Sequence, residues 1–73
     1  MARYYFDIHD GMRVIADLVG GEFTSDEEAI ARAREIARHE RQARADPLRL
    51  SGRDLVVTRE DSKRIAVLRL LTA

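Results

Sequence analysis

The chain predicts an α+β fold of order β-β-α-β-β, with one helix packed on a four-stranded, mainly antiparallel sheet. Three observations carry this. Two stretches, one towards each end, alternate or are rich in β-branched residues and read as hairpins. Between them lies one Ala- and Arg-rich stretch with apolar residues at helical spacing. A length of 73 residues leaves room for one small domain, 1–73, and no more.

The first hairpin starts at Arg3. Tyr4, Phe6 and Ile8 alternate with Arg3, Tyr5 and Asp7, the pattern of a half-buried strand. Met12 to Asp17 supplies the second strand. A two-residue Asp10-Gly11 loop would mix the faces. A three-residue loop, His9-Asp10-Gly11, with glycine in the left-handed position, pairs Ile8 with Met12, Phe6 with Val14 and Tyr4 with Ala16. It sets Asp7 against Arg13, Tyr5 against Ile15 and Arg3 against Asp17 on the other face, and is the expected register. Asp7, His9 and Asp10 also raise the question of a metal site. With Asp7 paired and His9 and Asp10 in a loop, a site would need ligands from elsewhere, and the other histidine, His39, falls on the helix. The stretch reads as a hairpin tip, and no metal or cofactor is expected.

Gly20-Gly21 ends the second strand, and a helix follows. Thr24 or Ser25 can cap it, with Glu27 or Glu28 respectively closing a capping box. Ala29, Ile30, Ala33, Ile36 and Ala37 form one apolar stripe, and its small residues allow close approach to a sheet. Asp46-Pro47 is the expected stop, because a residue before proline disfavours helical geometry. Arg34, Arg38 and Arg41 align on the outer face. They read either as a contact for phosphate or an acidic partner, or as a solvated surface laced with pairs such as Glu28–Arg32 and Glu40–Arg44.

The last stretch predicts a hairpin turning around Asp61-Ser62, with Asp54 opposite Arg69, Leu55 opposite Leu68 and Val56 opposite Val67. It is apolar on both faces, and the strand from Ile65 to Leu71 reads as central for that reason. One helix covers one face of a sheet. Tyr5, Ile15, Val56, Ile65 and Val67 are therefore expected on the uncovered side, as the interface of a homodimer.

Composition narrows the function classes. The formal net charge is zero, with 13 basic and 13 acidic residues, which argues against a dedicated nucleic-acid binder. There is no cysteine, so disulfides and thiolate zinc sites are excluded. Charges interrupt every apolar run, so no membrane span or secretory segment is expected, and the chain reads as cytoplasmic. A chain this short buries only about 60% of its unfolded surface. Its core supplies no more than about 3–5 kcal/mol, which makes a partner the natural source of further stability. No nucleophile–base pair or phosphate loop is present, so an enzyme is not expected. The reading is a non-catalytic interaction or regulatory module that acts as a homodimer, with or without a further protein partner. The alternative is a nucleic-acid-associated regulator of antitoxin type that uses the helix arginines.

"RYYFDIHDG", a capped Ala/Arg-rich helix and a final "DLVVTREDSKRIAVLRL" together resemble a family of small bacterial proteins of unknown function. Its members commonly begin with an aromatic strand ending in His-Asp-Gly. The similarity runs over almost the entire chain. It implies a small cytoplasmic α+β domain and carries no catalytic residues across. It also leads one to expect glycine in the second hairpin's turn, where this chain has Asp61-Ser62.

Overall fold

One long strand, β1 (Ala2–Asp10), organises the sheet. The computed structural model describes residues 1–43 and 52–70. The elements that follow are β2 (Arg13–Ile15), β3 (Gly21–Phe23), α1 (Asp26–Ala43), β4 (Arg53–Arg59) and β5 (Arg64–Arg69). All pairings are antiparallel, in the order β2-β1-β4-β5, with β3 also on β1. The α+β class is as expected. The sheet has five strands rather than four, because the edge of β1 is shared. β2 pairs with its Ile8–Asp10 end and β3 with its Ala2–Tyr4 end.

The first hairpin differs from the expected register. Ile8 faces Ile15, His9 faces Val14 and Asp10 faces Arg13, leaving a Gly11-Met12 loop. Gly11 has φ of 61°, and a glycine with positive φ at the first of two loop positions is the requirement of a type II′ turn. The slip is odd, so it exchanges the faces of β2. Tyr4, Phe6 and Ile8 do pack on the helix side. Ile15 lies on that side opposite Ile8, whereas Val14 lies on the far side opposite His9, and both are exposed, as is Met12 in the loop.

The second hairpin keeps its expected register from Asp54–Arg69 to Val57–Ala66. A bulge then brings Thr58 opposite Arg64 and leaves Ile65 as the extra residue, packed against the core. The turn closes with Ser62 N donating to Arg59 O, and Arg59 N to Lys63 O. Ser62 has φ of 69°, the left-handed position of a three-residue hairpin loop. Ser62 thus occupies the place a glycine would take without steric cost. Ser62→Gly is expected to raise stability by about 0.5–1 kcal/mol, read as a higher urea midpoint, since the relief of the left-handed strain outweighs the added chain entropy. An unchanged or lower midpoint would contradict this account of the turn.

β5 is an edge strand, not the central one. The central strands are β1 and β4, and Leu55, Val56 and Val57 of β4 are all buried. The apolar run of β5 misled because its edge position leaves Val67 half exposed.

The helix begins as its sequence specifies. Ser25 Oγ accepts from Glu28 N, while the Glu28 carboxylate reaches back to the backbone N and hydroxyl of Thr24. Ala29, Ala33 and Ala37 are buried against Leu55, Val57 and Leu70, with Ile36 at the margin. Arg32 pairs with Glu35 instead of Glu28. The expected stop at Asp46-Pro47, the Glu40–Arg44 pair and the strand residue Leu71 lie outside the described residues.

A polar chain fastens the helix start to the sheet. Tyr4 donates its hydroxyl proton to Asp26, Arg59 donates to both Asp26 oxygens, and the same guanidinium grips Asp61. The Tyr4 hydroxyl holds the Asp26 carboxyl below its ordinary range, with help from Arg59. The Arg59 contact brings Asp61 down to about 2.

Candidate functional site

The helix leaves half of its own side of the sheet uncovered. A helix is about 10–12 Å across and strands lie about 4.8 Å apart, so one helix covers about two strands. α1 lies over β4 and β5 and reaches β3. What remains is a groove of about 410 Å³ over β1 and β2, walled by Phe6, Ile8, Ile15, Phe23 and Ile36, with Arg32 and Asp17 as its charged residues. Phe23 makes edge-to-face contacts with Tyr4 and Phe6 at ring-centre distances of 5.9 and 5.8 Å, which fixes one wall.

Beside this groove the chain exposes much apolar surface. Among the described residues seven large apolar side chains are exposed, and five of them, Met12, Val14, Ile15, Leu18 and Val19, fall within one short stretch. The stretch is β2 and its connection to β3, the outer edge of the sheet.

Asp17 holds that edge in place. Its carboxylate accepts from Phe6 N at 3.2 Å, Val19 N at 3.1 Å and Gly20 N at 3.0 Å, and its own N–H donates to Asp7 at 2.7 Å. Phe6 lies between the parts of β1 that pair with β2 and β3, so the carboxylate fills the gap in the ladder. Burial pushes the Asp17 carboxyl up, but the N–H groups of Gly20, Phe6 and Val19 outweigh it and leave it below its ordinary range. Gly20 completes the turn with φ of 73°, and a Cβ there would lie 2.7 Å from the Tyr4 carbonyl oxygen. In the sequence the signal of this device is only an Asp three residues before a Gly, a common local turn former.

The expected interface residues separate. Tyr5, Val56 and Val67 lie on the face away from the helix, whereas Ile15 and Ile65 belong to the helix side and the core. On the far face His9 and Asp54 lie opposite each other, as do Asp7 and Val56. Val56 is only 3% exposed, so its neighbours already cover it. The far face is therefore more polar and less open than the sequence suggested.

The acidic residues of the first hairpin have partners within the chain. Asp7 takes the Asp17 N–H, and Asp10 pairs with Arg53 at 3.2 Å. The expected Arg3–Asp17 and Asp7–Arg13 pairs are replaced, Arg3 binding Glu22 and the Val19 carbonyl. Among the described residues no group of three His, Asp or Glu is placed to hold a metal.

Arg34, Arg38 and Arg41 do come together. With Leu68 and Arg69 they line a second groove, of about 450 Å³, between α1 and the opposite edge of the sheet. Arg41 is not free for a ligand, because its Nε donates to Leu70 O at 2.8 Å.

A family model described as a domain of unknown function, DUF6894, matches residues 3–72. The chain belongs to this family. No curated protein and no solved structure matches it. This DUF6894 chain offers an apolar edge at β2 and a cationic one at β5. None of its described helices is long and apolar enough to cross a membrane.

Proposed function

We propose that this chain is a non-catalytic, cytoplasmic interaction module that works as a homodimer through its β2 edge. The observation that carries the reading is the run of exposed apolar side chains from Met12 to Val19 beside an unfilled apolar groove. Knob and hole lie side by side on one edge, so a twofold axis there would let Leu18 and Val19 of each copy enter the groove of the other. Each such side chain contributes about 1.5–3 kcal/mol when fully buried, a large amount for a core of this size. A non-catalytic role is supported by the acidic side chains, which are spent on backbone and guanidinium partners. A cytoplasmic setting is consistent with the absence of cysteine.

Equilibrium sedimentation at micromolar concentration is the test. The unaltered chain is expected to sediment as a dimer and Leu18→Lys as a folded monomer, because Leu18 is 89% exposed and its replacement costs the single chain little. Val67→Lys, on the far face, is expected to leave the dimer intact. A monomeric unaltered chain would defeat the proposal. A dimer split by Val67→Lys and not by Leu18→Lys would move the interface to the far face.

A further inference from the structure

We propose that the β5 edge binds an acidic, extended peptide segment by strand addition, with Arg34 and Arg38 receiving its carboxylates. Among the described residues β5 pairs with β4 alone. Leu70 N donates to Arg53 O, and the antiparallel register then alternates inward and outward groups along β5. Val67 therefore directs its backbone N–H and C=O away from the sheet, as Arg69 does its N–H, while the Arg69 carbonyl accepts from Arg41 Nη2 at 3.5 Å. An exposed row of this kind is a template for another strand. The bulge at Ile65 perturbs only the turn end, leaving Ala66 to Arg69 regular.

The charge around this edge selects the strand. Arg34 and Arg38 stand one turn apart on α1 and line the groove beside Leu68 and Arg69. Like charges at that spacing cost a helix a few tenths of a kcal/mol. Elsewhere arginines meet carboxylates, as Arg3, Arg32, Arg53 and Arg59 do, but no ion pair is seen for Arg34 or Arg38 among the described residues. Arg41, anchored on the Leu70 carbonyl, holds the helix against the strand end and adds a fixed positive charge. β5 itself begins and ends with arginine, so a strand carrying Asp or Glu laid along it meets opposite charge. This site is at the other end of the sheet from β2 and does not depend on the dimer.

The probe is a fluorescent peptide of alternating Glu and Val, tested by polarisation and by amide shifts of the full chain. Saturable binding is expected, with the largest shifts at Val67 and Arg69. Affinity is expected to fall at least about tenfold for R34E/R38E, whose side chains are exposed and whose fold should persist. The same loss is expected when the peptide is N-methylated at alternate residues, which removes its strand hydrogen bonds and leaves the protein untouched. Binding indifferent to N-methylation, tighter binding of single-stranded DNA at the same arginines, or no binding at about 1 mM peptide would each overturn the proposal.

Discussion

Leu55→Ala is expected to leave the chain largely unfolded at 25 °C. Leu55 is fully buried in β4, between Ile8 of β1 and Leu68 of β5, in one cluster with Ala29, Ala33 and Ala37. Replacing a buried leucine by alanine costs about 2–5 kcal/mol, the spread depending on how far the site collapses. Collapse is restricted here, because β4 is paired on both sides and alanines already bring the helix close. A core of this size supplies about 3–5 kcal/mol in total, so the loss matches the reserve. Urea titration followed by far-ultraviolet circular dichroism measures it. Val67→Ala, at a half-exposed position, is the comparison and should cost less than about 1 kcal/mol. Equal midpoints for the two variants would contradict the placement of the core.

Asp17→Ala is expected to cost about 2 kcal/mol and to loosen the β2 edge first. The substitution strips the acceptor from the N–H groups of Phe6, Val19 and Gly20 together, and hydrogen bonds to a charged group are among the stronger ones. Amide exchange at Phe6 and Gly20 should rise more than exchange at Val57. Asp17→Asn retains one acceptor oxygen and should fall between the two. The carboxyl's lowered pKa gives the pH dependence its sign. A group whose folded pKa lies below its unfolded value stabilises the fold above about pH 4, and that contribution is lost as pH falls through the folded value. Asp26 acts in the same sense, and so does Asp61, held at about 2 by Arg59. The melting temperature should therefore fall between about pH 4 and pH 2, and Asp17→Ala should make that fall shallower. Equal steepness with and without Asp17 would remove it from the account.

Much of the local structure was determined by sequence alone. The Tyr4-Phe6-Ile8 alternation, the Ser25–Glu28 cap, the alanine stripe and the register from Asp54–Arg69 to Val57–Ala66 all follow from spacing within one element or one hairpin. Such features need only neighbours in the chain, and the pattern of residues reports them directly.

Other features were decided only by the tertiary structure. Gly11 could stand first, second or third in its loop, and the third placement puts on the core the face of β2 that the other two turn away from it. The choice fell to a type II′ turn that pairs Ile8 with Ile15. Strand order was equally hidden, because an apolar strand reads the same at an edge as at the centre, and β5 proved to be the edge. The same is true of the candidate surfaces. Arg34, Arg38 and Arg41 were visible as a row, but that they border a strand edge depends on which strand α1 lies beside. The apolar edge from Met12 to Val19 arises because one helix is too narrow to cover the sheet and Asp17 turns the chain away before β2 can lengthen. Long-range packing assigned these residues to solvent, and no pattern within the stretch records that assignment.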